Sequence, residues 1–171
     1  MGIAKSLRGA TAAAAAALLL AACASPASIQ PGEPLGSVTQ RLGRPTLEMP
    51  RPDGGTRLIW STQPMGQFVW VTDVDASGKT ISNQQALTTE NFDRIKIGEW
   101  DTERLRYEFG PPAEISRVGL RGEHLVWSYR YRQDGVWNSL MHIYISDSGK
   151  VERFHPGPDP LAEPRDGMFM F

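Results

Sequence analysis

The sequence contains a single cysteine, Cys23, and this scarcity limits the covalent chemistry open to the protein. One thiol cannot form an internal disulfide, and it cannot supply the cysteine sets of structural zinc sites. The fold must therefore be stabilised by side-chain packing. Five Trp, six Phe and four Tyr provide bulky side chains for a core.

An excess of positive charge is also missing. The chain has 18 Lys and Arg against 19 Asp and Glu, a formal net charge of −1. Domains that bind nucleic acid usually carry clustered positive charge. We therefore expect no nucleic-acid partner, and beyond the N-terminal segment no apolar run approaches the length of about 20 residues that a membrane span needs.

The N-terminal residues are typical of a secretory signal. Lys5 and Arg8 form a basic start without an acidic residue, and residues 11–22 are almost entirely Ala and Leu. This apolar run is too short to span a bilayer but has the length of a signal-peptide core. We expect residues 1–22 to be a signal peptide.

Cys23 directly follows Leu20, Ala21 and Ala22. This segment resembles the lipobox of bacterial lipoproteins. The resemblance implies diacylglycerol on the Cys23 thiol, cleavage before Cys23 and an N-acyl chain on the new terminus. Since one acyl chain binds a membrane only marginally, several chains would give a stable anchor. The alternative is an unmodified cysteine at the end of a simple signal.

The residues after Cys23 bear on the destination of the protein. Ala24 and Ser25 stand where an Asp would retain many lipoproteins at the inner membrane. The lipoprotein resemblance therefore implies anchoring at the periplasmic face of the outer membrane, with residues 23–28 as a tether. Apart from this covalent lipid, we expect no cofactor.

An internal repeat covers most of the remaining chain. Four segments recur in the same order: 29–33 as 95–99, 43–45 as 110–112, 60–61 as 127–128, and 75–79 as 147–150. Ordered matches of this kind indicate duplication. The predicted organisation is repeat 1 at 29–82, a linker at 83–94 and repeat 2 at 95–154.

Each repeat is predicted to be α+β, with a short helical segment followed by an antiparallel three-stranded β-meander. Leu35, Val38 and Leu42 share one helix face, and Asp101 is a favourable N-cap for the second helix. The predicted strands, rich in branched and aromatic residues, cover 57–62, 67–75 and 79–82, then 124–132, 139–146 and 150–154. Residues 155–171 are Pro-rich and expected to be disordered.

A family resemblance is carried by three successive segments. They are residues 87–98, the predicted helix that begins at Asp101, and Phe109-Gly110-Pro111-Pro112. They resemble the SmpA/OmlA (BamE-like) lipoproteins of the β-barrel assembly machinery over residues 87–154. The duplication is similar to tandem members of that fold group, which include β-lactamase inhibitory proteins. The resemblance implies a non-enzymatic protein-binding module in outer-membrane protein assembly or envelope integrity. The alternative is an inhibitor-like module that binds an envelope enzyme.

Residues that could support catalysis are few. The three histidines are His124, His142 and His155, and Ser139, His142 and Asp147 could be combined into a triad. However, the sequence has no Gly-x-Ser-x-Gly elbow and no His or Cys pair with ligand spacing. The sequence predicts neither an enzyme nor a metal site, and we expect no small-molecule substrate.

Aromatic residues are the best candidates for partner contacts. Trp127, Tyr129 and Tyr131 alternate onto one strand face, where they either form core or face a partner, since Trp and Tyr are enriched in binding hot spots. Trp137, in a predicted hairpin loop, has no counterpart in repeat 1. The candidate partner-binding residues are Trp137, Tyr129, Tyr131 and Arg130.

Overall fold

The computed structural model describes residues 25–120 and 124–162. A short 3₁₀ helix, Pro26–Ser28, precedes three helices, α1 (Leu35–Leu42), α2 (Thr89–Phe92) and α3 (Thr102–Phe109). The strands are β1 (Leu47–Pro50), β2 (Thr56–Ser61), β3 (Val69–Val74), β4 (Thr80–Gln85), β5 (Glu114–Val118), β6 (His124–Gln133), β7 (Trp137–Ile145) and β8 (Val151–Pro158). The predicted lipobox and Cys23 lie outside the described residues.

Strands β1–β4 form one antiparallel sheet in chain order, here sheet 1, and β5–β8 form a second, sheet 2. The predicted α+β class with three-stranded repeats is therefore wrong, because the protein is mostly β with two four-stranded sheets. The missed strands are β1 and β5. Both are short edge strands that carry charged residues, and edge strands often lack a clear apolar alternation.

Local geometry recurs in the two halves. Gly43 and Gly110 end α1 and α3 with φ values of 82° and 72°. A bulge interrupts the register after Asp73 in β3 and after Tyr144 in β7. The repeated sequence segments thus occupy similar positions, although the predicted architecture of each repeat was incorrect.

The C-terminal Pro-rich segment begins as part of sheet 2. The third strand of repeat 2 was predicted to end at residue 154, but β8 continues to Pro158 and pairs with β7 up to Ser139. Proline is tolerated at a sheet edge because its missing N–H is not needed there. The expectation of disorder is therefore wrong for residues 155–158, and residues 163–171 lie outside the described part.

The helices and sheets stack in a fixed order. Helix α1 covers one face of sheet 1 through a core that includes Val38, Leu58 and Trp60. Helices α2 and α3 lie between the other face of sheet 1 and sheet 2, with Phe92 and Phe109 in that core. The order is therefore α1, sheet 1, α2 with α3, and sheet 2.

The face of sheet 2 turned away from α3 is here named the outer face. It carries alternate residues of β6 and β7, among them His124, Ser128, His142 and Tyr144. None of the helices in the described ranges is both long and apolar enough to cross a membrane.

Candidate functional site

Four exposed apolar side chains lie at one end of the two sheets and are here named the tip surface: Met65, Phe68, Val136 and Trp137. Met65 and Phe68 belong to the connection from β2 to β3, and Val136 and Trp137 to the hairpin of β6 and β7. Trp137 is 68% exposed and Met65 74% exposed. Large apolar side chains are therefore available to a partner at this end.

Direct contacts hold the two loops together. The Gln67 Nε2 donates to Asn138 Oδ1 at 2.9 Å, which joins the start of β3 to the start of β7. The Arg130 guanidinium donates to the Pro64 carbonyl. The tip surface is therefore built from both repeats.

The side chain of Gln63 adds a second link. Strand β5 pairs with β6 only as far as Ser128, so the backbone of Arg130 lies beyond the end of β5. There the Gln63 amide donates to the Arg130 carbonyl at 2.8 Å and accepts from the Arg130 N–H at 3.2 Å. The Gln63 amide thus pairs with the backbone N–H and carbonyl of Arg130, which a neighbouring strand would otherwise pair with. This pairing favours a well-ordered tip surface.

A recess of about 540 Å³ lies beside the tip surface. Phe68 and Leu87 line it on one side, and Arg132 and Asp134 on the other. Thr89 donates to Asp134 at 2.9 Å and so joins α2 to the β6–β7 hairpin. The exposed apolar residues thus adjoin a concavity that a partner side chain could enter.

The structure moves two predicted contact residues into the core. Tyr129 and Tyr131 are fully buried, and Tyr129 packs against Phe109 at 5.8 Å between ring centroids. Burial raises the pKa of the Tyr129 hydroxyl, which donates to the Gly110 carbonyl at 3.1 Å. Alternation showed that these residues share a face, but it could not show that α2 and α3 cover that face.

Arg130 is also a structural residue. Its Nε lies 3.0 Å from Asp159 Oδ2, and both side chains are almost completely buried. Asp159 in turn accepts from the Leu161 N–H, so the pair holds the turn that follows β8. Of the four predicted contact residues, Trp137 is the one that remains exposed.

Met65 and Phe68 were missed by sequence reasoning. Each is a single apolar residue in a loop, which is common on protein surfaces and carries no signal by itself. Their importance comes from lying near Val136 and Trp137. The Gln67–Asn138 contact shows that proximity, and it joins residues 71 positions apart.

The possible catalytic triad is not assembled. Ser139 donates to Gln133 at 2.9 Å, whereas His142 contacts Ser128 at 2.9 Å on the opposite face of β7. Asp147 lies in the turn before β8. Burial, together with the nearby His155, lowers the pKa of His142.

Comparisons of the chain with models of known protein families, with curated proteins and with solved structures find no match.

Proposed function

We propose that the protein is a non-enzymatic protein-binding module whose tip surface contacts an envelope protein. In this proposal, lipid on Cys23 holds the module at the periplasmic face of the outer membrane. The lipid anchor rests on the lipobox resemblance of Leu20, Ala21, Ala22 and Cys23. A component of the β-barrel assembly machinery is the proposed partner, on the resemblance of residues 87–112.

The observation that carries the binding role is the clustering of Met65, Phe68, Val136 and Trp137 at one end. Trp is the residue most enriched among binding hot spots, and such residues act near a pocket that excludes water. The neighbouring recess could receive a side chain of the partner, and the hydrogen-bonded loops hold the tip surface in place. A site formed in advance loses less conformational entropy on binding than a flexible loop.

Site-specific photo-crosslinking in cells tests the surface. A photoreactive residue at Val136 should give a discrete adduct, whereas the same residue at Ile97 should not, although Ile97 is 58% exposed. A component of the barrel-assembly machinery in the Val136 adduct supports the proposal. Equal crosslinking from both positions contradicts the tip surface, and a soluble enzyme as sole adduct contradicts the assembly role.

Affinity for the captured partner gives the energetic test. Trp137→Ala should weaken binding by about 2 kcal/mol, roughly 30-fold, if Trp137 is a hot spot. Ile97→Ala is the matched control, because it also removes an exposed apolar side chain. Equal affinities of the two variants would contradict a role for Trp137.

The anchor has an independent test. Cys23→Ser should leave the chain unprocessed and shift it out of the detergent phase, because the thiol that takes the lipid is gone. Unchanged size and partitioning would contradict lipidation while leaving the tip surface untouched.

A further inference from the structure

The turn that follows β8 lies next to the tip surface. It is joined to the start of β7, because the Asp159 N–H donates to the Asn138 carbonyl at 3.3 Å. The Ala162 N–H then donates to the Asp159 carbonyl at 2.9 Å and closes the turn. Since Asn138 directly follows Trp137, the chain leaves the described part of the fold beside Trp137.

The same turn also adjoins the other half of the tip surface. The Arg130 guanidinium lies 3.0 Å from Asp159 Oδ2 and also donates to the Pro64 carbonyl. Pro64 immediately precedes Met65. One arginine therefore joins this turn to the loop that carries Met65. Exposed apolar character continues into the turn itself, where Leu161 is 58% exposed.

The sequence after Ala162 consists of a polar part and an apolar part. Residues 163–167 are Glu, Pro, Arg, Asp and Gly, and residues 168–171 are Met, Phe, Met and Phe. An extended chain spans at most about 3.5 Å per residue, so the connection from Ala162 to Met168 can reach about 20 Å. Residues 168–171 are thus attached by a short connection that starts beside the tip surface.

The apolar residues of this segment match those of the tip surface. The segment supplies two Met and two Phe, and the tip surface presents Met65, Phe68, Val136 and Trp137. Methionine sulfur makes favourable contacts with aromatic rings, and its flexible side chain adapts to irregular surfaces. A short connection gives two groups of one chain an effective concentration in the millimolar range. This advantage favours the segment of the same chain over a second copy as the occupant.

We propose that residues 168–171 bind the tip surface of their own chain and cover Met65 and Trp137. The proposal rests on the tip surface being the contact surface of the proposed function, and it adds a means of regulation. An envelope partner must displace the segment, so its apparent affinity is reduced by the fraction of chains whose tip surface is open.

Photo-crosslinking of the purified full chain, with no other protein present, tests the contact. A photoreactive residue at Val136 should link to residues 163–171 of the same chain. Such a link leaves the protein at monomer size, and mass spectrometry of its proteolytic peptides locates the linked residues. The same photoreactive residue at Ile97 should give no link to this segment.

Ile97 is a matched control because it is also apolar and 58% exposed but lies at the other end of sheet 2. The N–H of its neighbour Gly98 donates to the Val151 carbonyl at 2.8 Å. Val151 is opposite Ile145, the last residue of β7, whereas Trp137 is the first.

Oxidation of Met65 by hydrogen peroxide gives a second measurement. Met65 is 74% exposed to solvent within the described residues, so it should be oxidised readily unless the segment covers it. Phe169→Ser/Phe171→Ser should raise the rate of Met65 oxidation about fivefold, if the segment is bound about 80% of the time in the wild type. Ile97→Ser should leave the rate unchanged. Peptide mass spectrometry measures the Met65 sulfoxide in each variant.

Three outcomes would overturn the proposal. They are a Val136 adduct of dimer size, a Val136 adduct with lipid or detergent alone, and equal rates of Met65 oxidation in the wild type and the double variant. None of them affects crosslinking from Val136 to an envelope protein in cells. If that cellular crosslink is absent, the proposed function fails, and the link within the purified chain is still measurable.

Discussion

Sheet 1 and sheet 2 each have one face next to their own helix, and they differ in what covers the other face. In sheet 1 that face carries Ile59, Val69 and Val71, and α3 packs against it. In sheet 2 the corresponding face carries His142 and Tyr144 and has no described helix over it. The difference shows how a two-repeat stack ends, since a terminal unit needs a polar outer surface.

The outer face of sheet 2 is protected by its own long side chains. The Arg153 guanidinium lies 3.6 Å from the centroid of the Tyr144 ring, and Val126 and Leu140 are buried on this same face. Amphipathic side chains can cover apolar neighbours while their polar ends meet water. Sheet 1 achieves the same burial with a helix from the second repeat.

An ion cluster joins the covered face of sheet 1 to α3. Arg57 lies 2.8 Å from Asp73 Oδ1 and 3.3 Å from Glu108 Oε2, and Arg51 also contacts Asp73. Burial alone would raise the pKa of Asp73, but Arg57 and Arg51 outweigh burial and hold that pKa below its usual value. In sheet 2, the Arg130–Asp159 pair holds the turn after β8, and the Arg130 guanidinium also donates to the Pro64 carbonyl.

The largest expected difference between the sheets concerns a matched pair of isoleucines. Ile59 is fully buried against α3, whereas Ile115 in β5 is 58% exposed. Ile59→Ala should lower the free energy of unfolding by about 2–5 kcal/mol, because it leaves a cavity. Ile115→Ala should change it by about 0.5 kcal/mol or less. Urea denaturation of both variants checks this, and similar losses would contradict the packing of sheet 1 on α3.

The glycines that end the two long helices sharpen the comparison. A Cβ at Gly110 would lie 2.7 Å from Ile59 Cγ2, whereas one at Gly43 would meet no atom within 4 Å. Both have positive φ, so alanine at either position should cost about 1–3 kcal/mol in backbone strain. Gly110→Ala should cost about 1–3 kcal/mol more through overpacking. Thermal and urea unfolding measure both variants, and equal losses would show that α3 does not press on sheet 1.

The smallest expected effect depends on pH. Because the pKa of Asp73 is lower in the folded protein than in the unfolded chain, its pairing stabilises the fold fully above about pH 4. That stabilisation is lost as the pH falls through the lowered pKa. Asp73→Asn should therefore be less stable at pH 7, and the gap to the wild type should narrow on acidification. Asp147→Asn, in the solvent-exposed turn before β8, is the control, and a constant gap for Asp73→Asn would contradict the ion cluster.

Several local features were predictable from the sequence. Asp101 was predicted as a helix N-cap, and its side chain accepts from the Arg104 N–H at 2.9 Å. The central strands were found because their branched and aromatic residues are frequent. Strands β1 and β5 were missed because each has a neighbour on one side only, so little apolar sequence is needed to form them.

The candidate site was less predictable. Trp137 was identified because a loop tryptophan lacks an obvious place in a core, and it is exposed. Tyr129 and Tyr131 have the same chemical character, but their face lies under α2 and α3. Exposure depends on what packs against a face, and this information is not local to the strand.

The sequence by itself determined the turns, the helix ends and the alternation of the central strands, because these follow from interactions between residues a few positions apart. Only the tertiary structure decided which sheet face is covered, that Met65 and Phe68 lie at the same end as Trp137, and that His142 faces His155. These relations join residues far apart in the chain through strand register and the stacking of one repeat on the other. No short-range pattern encodes them, since each depends on where the whole chain brings its surfaces together.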